Sequence, residues 1–271
     1  MIRYAKKTLL YAAVFFLTGF CVWAGSLLGN GPDVTILMYH SIGPSYADLP
    51  GMGMSREAFA RQMSFFKRHG YRVIRLSELI EKLKRNETAG PKTIVLTFDD
   101  GYEDTRANAL PVLRQYGFPA TVFLITDNIG RQVVMYDRPA RFLSVAMMRE
   151  MAASGLIDFG AHSADHAYLP DLKDDPRALV REIDAPKRFL EGLLGVPAAF
   201  FSYPIGGYTA AVRSRVRAAG YEAAVTTDPR RGTAHGDLFA LKRVKIKGTE
   251  GPAELFFKTS GYYLRMKEMR P

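Results

Sequence analysis

The sequence predicts an α/β fold built around a parallel sheet, either open or closed into a barrel. Two observations predict it. Strand-like and helix-like segments alternate through most of the chain. Three polar clusters each fall directly after a predicted strand, where sheets of this kind gather functional side chains.

The elements follow in order. Residues 34–39 read as the first strand, ending at His40. Residues 44–53 hold two prolines and two glycines and read as a loop. Ser55 is a good N-cap for a helix with Phe59, Met63 and Phe66 on one face, stopped by Gly70. Residues 71–76 form a second strand, and Ser77 caps a short helix carrying Leu79, Ile80 and Leu83. The third strand is 93–98, followed by a helix to Tyr116 with Gly117 as its stop. Strands follow at 120–125 and 157–161, with a helix at 147–153 between them. A long helix covers 176–194, bent at Pro186. Strands at 198–203, 223–226 and 241–246, a helix at 209–219 and a last amphipathic helix at 252–266 complete the chain. There are no repeats and no low-complexity segments.

The chain has 271 residues and is 48% hydrophobic, enough for one sizeable core after a short N-terminal segment. Its single cysteine, Cys21, excludes an intrachain disulfide and a cysteine-rich zinc site. Net charge is +10, and residues 229–271 carry ten Lys/Arg against four Asp/Glu. A basic tail suits an anionic surface or simple solubility. No basic helix with interleaved aromatics is present, so nucleic acid is not the expected partner.

Arg3, Lys6 and Lys7 precede an uncharged stretch from Thr8 to Gly29. As a helix it would run about 33 Å, enough to cross a bilayer. The positive flank keeps the start in the cytoplasm and places the rest outside. Residues 1–30 are therefore expected to be an uncleaved membrane anchor, with a cleaved signal peptide as the rival, and 31–271 the functional domain.

The three clusters are Asp99-Asp100, His162 with His166, and the turn Ser202-Tyr203-Pro204-Ile205-Gly206-Gly207. Adjacent acids cannot both point into one core from a regular strand, so Asp99 and Asp100 are expected at the mouth of the sheet. Two imidazoles and a carboxylate suit a divalent transition metal. A metal acidifies water and polarises a carbonyl, and a second carboxylate beside it can accept the water's proton.

"TFDDG" at 97–101 and "HSADH" at 162–166 resemble the polysaccharide deacetylases with a NodB-like domain, carbohydrate esterase family 4. "FSYPIGG" at 201–207 resembles that family's third motif. "ILMYHSI" at 36–42 resembles the opening strand of its extracellular branch acting on poly-β-1,6-N-acetylglucosamine. The resemblance spans about residues 34 to 247. It implies a distorted (β/α)7 barrel and metal-dependent removal of acetyl groups from an extracellular N-acetylated polysaccharide. It implies Asp99 as general base, and Asp100, His162 and His166 as ligands of a divalent metal, most often zinc. The backbone N–H of Tyr203 would help hold the oxyanion.

The chain also departs from that pattern. Ser202 stands where the family commonly has an arginine that orients the base. Arg243, in "LKRVKI", could approach Asp99 from a neighbouring strand. The fourth motif is reduced to "TTD", with Asp228 as an acid that could support the site from behind its ligands. The usual late histidine acid is missing, and His40 is the expected replacement as proton donor. His69 and His235 read as structural and incidental, and Asp165 as a surface or second-shell acid. Tyr39, Tyr102 and Tyr208 lie near the expected mouth, where sugar stacking and ordinary loop packing are both open. A peptidoglycan deacetylase, an O-acetyl esterase and an inactive glycan-binding relic are the alternative functions.

Overall fold

The computed structural model describes residues 34–49, 51–135, 137–227, 237–260, 263 and 266. Strand β1 (Val34–Tyr39) leads through a loop to helix α1 (Arg56–Arg68), strand β2 (Arg72–Val73) and helix α2 (Leu76–Lys84). Strand β3 (Thr93–Phe98) enters helix α3 (Leu110–Tyr116) through a π-turn at Thr105–Ala109. Strand β4 (Ala120–Leu124) is followed by a hairpin, β5 (Gln132–Met135) and β6 (Arg138–Arg141), and helix α4 (Val145–Ala153). Next come strand β7 (Ile157–Ala161) and helix α5 (Pro176–Leu179), continued as helix α6 (Ala185–Leu194) across a second π-turn at Val180–Asp184. Strand β8 (Phe200–Ser202), helix α7 (Ala210–Ala218), strands β9 (Ala223–Val225) and β10 (Arg243–Lys245), and helix α8 (Pro252–Thr259) follow.

Seven strands run in the order β9-β8-β7-β4-β3-β1-β10, all in parallel pairs, with β2 added to the start of β3. One isolated parallel bridge, Val225 with Leu241, brings the two ends together. The result is a nearly closed parallel barrel, the α/β form expected. Alternation along each strand sorts its residues. Leu37, Leu96, Phe98, Val122, Phe159 and Val244 pack outward against the helices. Ile36, Val95, Phe123, Val225 and Leu241 fill a second, interior cluster. Each large apolar side chain so buried contributes about 1.5–3 kcal/mol before entropic costs.

Several elements form as their residues dictate. Ser55 Oγ accepts the Ala58 N–H at 3.2 Å, and α1 buries Phe59, Met63 and Phe66. Gly117 ends α3 with φ 67°, a left-handed cap that glycine adopts without penalty. Others differ from the expectation. The second strand shrinks to Arg72–Val73 because the next helix begins at Leu76, with Arg75 rather than Ser77 at its cap. The irregularity expected at Pro186 begins earlier, as the π-turn at Val180–Asp184; proline lacks the N–H that would close an α-helical bond onto residue 182. The hairpin at 132–141 was not expected, and the helix begun at Pro252 breaks at Thr259, with Tyr263 and Met266 helical again beyond it.

The expected anchor at 1–30, Asp228 and His235 lie outside the described residues. Among the described residues no helix is long and apolar enough to cross a membrane.

Candidate metal centre and base

Asp99 and Asp100 follow β3 directly, and the chain turns sharply to let both acids serve one mouth. Asp100 takes φ 71°, a left-handed conformation that breaks strand alternation. Gly101 follows at φ 82°, a conformation that glycine takes without strain, and a Cβ there would also press on Leu124 Cδ2 at 2.6 Å. Both acids are buried, Asp99 completely.

Asp100, His162 and His166 converge, offering ligand atoms all within 4.8 Å of one another. His162 Nε2 lies 3.5 Å and His166 Nε2 3.7 Å from the same oxygen, Asp100 Oδ1. His162 Nδ1 donates to the Ser202 carbonyl at 2.8 Å, which leaves its Nε2 lone pair for a cation. Burial lowers the His162 pKa to about 3 and lowers that of His166, so both rings are neutral, as ligands must be. Burial, and then the charge of Asp99, raise the Asp100 pKa to about 7. No lysine or arginine among the described residues forms an ion pair with it, and the pull of Arg243 and Lys245 does not outweigh burial. One carboxylate and two neutral imidazoles therefore fit a divalent cation in both donor chemistry and charge.

Asp99 has the opposite surroundings. Burial pushes its pKa up, but the Arg243 guanidinium outweighs burial and holds it well below the usual carboxylate range. Arg243 Nη1 and Nη2 donate to the two Asp99 oxygens at 2.7 and 2.6 Å, a bidentate pair with no solvent exposure at the arginine. Arg243 also donates to Ser202 Oγ at 2.9 Å, Thr97 Oγ1 at 3.2 Å and the Thr226 carbonyl at 3.2 Å. Strand β10 thus supplies the arginine that β8 lacks at Ser202. The Ser202 hydroxyl sits 3.4 Å from Asp99 Oδ1.

The remaining expected residues fall in different places. His40 is buried within electrostatic reach of Asp99 with Nδ1 unpartnered, and burial lowers its pKa to about 4. The Tyr203 N–H is already used: it donates to the Val225 carbonyl at 3.1 Å, extending the β8–β9 ladder. Its hydroxyl donates to the Phe239 carbonyl at 3.0 Å, so Tyr203 is a wall residue and not a free oxyanion donor. In the turn after it, Gly206 donates to the Tyr203 carbonyl and Gly207 to that of Pro204, while proline has no N–H. Ile205 is left as the turn's other amide, at φ 58° with its side chain 63% exposed. A β-branched residue in that region is strained, as residues at functional sites often are.

Tyr39 does not face the mouth. It lies on the helix side, 1% exposed, stacked on Phe98 at 5.4 Å. Alternation carries the signal, because Tyr39 and His40 are neighbours and must take opposite faces. Tyr102 is buried against Tyr46 and Phe142, and Tyr208 stacks on Tyr203 at 4.9 Å. Asp165 is a surface acid paired with Arg181 at 2.8 Å, and His69 Nδ1 is 2.8 Å from the Phe65 carbonyl at the end of α1.

Comparison with known proteins agrees with this arrangement. The polysaccharide deacetylase family model matches residues 86–224. A protein of Bacillus subtilis (strain 168) named as a polysaccharide deacetylase, YxkH, is 30% identical over 219 residues, covering 80% of this chain and 73% of that protein. The poly-β-1,6-N-acetyl-D-glucosamine N-deacetylase of Staphylococcus aureus (strain MRSA252) is 21% identical over 208 residues, covering 74% and 70%. The solved structure of the Streptococcus pyogenes deacetylase PplD, in complex with acetate, superposes with a TM-score of 0.72 at 26% identity, covering 84% of this chain and 98% of that one. A buried acid fixed by arginine, beside a site for a divalent cation in a nearly closed parallel barrel, belongs to a chain of the polysaccharide deacetylase family, carbohydrate esterase family 4.

Proposed function

We propose that this chain is a metal-dependent hydrolase that removes acetyl groups from the amino sugars of an N-acetylglucosamine polymer outside the cytoplasm. The observation that carries the reading is the Arg243–Asp99 pair set against the convergent Asp100, His162 and His166. The glycan follows the Staphylococcus aureus relative and the "ILMYHSI" strand, and the location follows the apolar stretch at 8–29.

Asp100, His162 and His166 would hold the cation, zinc by the chemistry of the donor set. When bound, it supplies positive charge that acidifies water and steadies an acyl oxygen turning negative. Asp99 is the base. Arg243 keeps it ionised and fixes both its oxygens, so it is ready to accept the proton lost by the attacking water. The Ile205 amide is the backbone donor for the oxyanion, since its neighbours in the turn are committed elsewhere. His40 donates the proton to the leaving amine. Burial keeps its ring neutral at rest, so it first takes up the proton that Asp99 received from the water and then gives it to the amine, which returns both groups to their starting states.

The test is acetate release by the purified protein from poly-β-1,6-N-acetylglucosamine oligomers, peptidoglycan fragments and O-acetylated glycans, together with metal analysis. We expect about one equivalent of divalent metal and preference for the first substrate. Asp99→Asn should lower turnover by about 100- to 10,000-fold with metal retained. Sugar binding without any acetate release from the wild-type protein would overturn the reading.

A further inference from the structure

The two histidine ligands flank a loop that is costly to hold. Ser163 sits at φ 62° and His166 at φ 68°, both in the left-handed region without being glycine. Each such residue costs on the order of 1–3 kcal/mol and persists only where its surroundings over-determine it. The surroundings do so here. Thr126 N–H donates to the Ser163 carbonyl at 3.2 Å and Asp127 N–H to that of Ala164 at 2.9 Å. His166 N–H donates to Ser163 Oγ at 2.9 Å.

Two further amides between the ligands point at one atom. Ala164 N–H and Asp165 N–H both donate to Glu182 Oε2, each at 3.1 Å. Glu182 is 1% exposed. It lies inside the π-turn Val180–Asp184, and a π-turn shifts the phase of the helix around it. Its other oxygen accepts from Arg181, which also donates to Asp165 at 2.8 Å and to Asp127 at 2.9 Å. The carboxylate is therefore itself fixed. A buried acid held this firmly, aimed at successive amides of a ligand loop, does more than satisfy those amides: it sets where the loop's two ends stand.

We propose that Glu182 is a positioning residue that sets the spacing of His162 and His166, and so governs how tightly the site closes on a divalent cation. It touches neither substrate nor cation and acts only through the loop backbone. The proposal rests on the metal reading above. Outer contacts that orient ligands typically change metal affinity 10- to 100-fold when removed.

The test is a zinc titration of the metal-free protein against a chromogenic chelator, with folding followed by circular dichroism. The chains compared are wild type, Glu182→Ala, the near-isosteric Glu182→Gln, His162→Ala, and Glu250→Gln as a structural control. Glu250 is a buried acid paired with Lys258, away from the ligand loop. Glu182→Ala should lose 10- to 100-fold in zinc affinity per folded molecule. Glu182→Gln should fall between it and wild type, because one oxygen can still accept from both amides. Glu250→Gln should lower the melting temperature and leave zinc affinity unchanged. Folded Glu182 variants that bind zinc within twofold of wild type would overturn the positioning role while leaving the metal site intact. A wild-type protein without stoichiometric zinc uptake, or a His162→Ala variant binding as well as wild type, would overturn the metal reading and this proposal with it.

Discussion

Asp99 and Asp100 are consecutive in sequence, equally deep, and opposite in electrostatics. Asp99 meets a guanidinium on both oxygens and stays ionised. Asp100 meets two neutral rings and the charge of its neighbour, and its pKa rises to about 7. The difference shows that burial alone does not set the state of a carboxylate; the sign of the nearest fixed charge does. One acid is supplied with its counter-charge by the protein. The other has no such pair among the described residues, only the lesser pull of Arg243 and Lys245, and so is suited to receive a cation.

Removing the counter-charge is the strongest way to break this contrast. Arg243→Met should leave a buried unpaired acid and cost about 3–5 kcal/mol of stability in denaturant unfolding. In the fraction that folds, Asp99 should titrate like Asp100, and the acid limb of kcat/KM should move upward in pH. Unchanged stability together with an unchanged limb would show that the arginine does not set the base. The next test addresses the other acid. Its raised pKa means that below about pH 7 a proton competes with the cation, whereas His162, lowered to about 3, stays neutral there. Zinc affinity should therefore fall about tenfold, or about 1.4 kcal/mol, for each pH unit below 7. A slope of three protons would show that the histidines are not neutral. The smallest effect is expected at Ser202. Its hydroxyl is 3.4 Å from Asp99, and Ser202→Ala should cost about 1 kcal/mol and change kcat/KM only a few-fold if Arg243 carries the orientation.

What could be read in the sequence was what lies in one short run. The acids at 99 and 100 and the histidines at 162 and 166 are each local, and each follows a strand that its own residues specify. Contacts that join distant strands were harder to see. Arg243 and Asp99 are 144 residues apart, and only barrel closure brings them together. Glu182 reads as an ordinary helix acid until the π-turn places it under the ligand loop. The family resemblance implies the Tyr203 N–H for the oxyanion, but that N–H extends its strand's ladder to the Val225 carbonyl, a pairing set by a distant strand. The hairpin at 132–141 alternates in burial but not in residue type: Val134 is apolar yet 74% exposed, and Pro139 stands inside a strand, so the sequence carries no strand signal there.

The single bridge between Val225 and Leu241 gives Arg243 a second importance. Its strand rests on β1 through three residue pairs, yet meets β9 across that thin seam, where the Arg243 Nε also reaches the Thr226 carbonyl. One side chain thus helps to lace the circumference, beside the Thr226 and Leu241 backbone hydrogen bonds, and at the same time fixes Asp99, the proposed base. Any loosening of the wall there would free that carboxylate at the same moment, so the state of one acid is tied to the completeness of the cylinder.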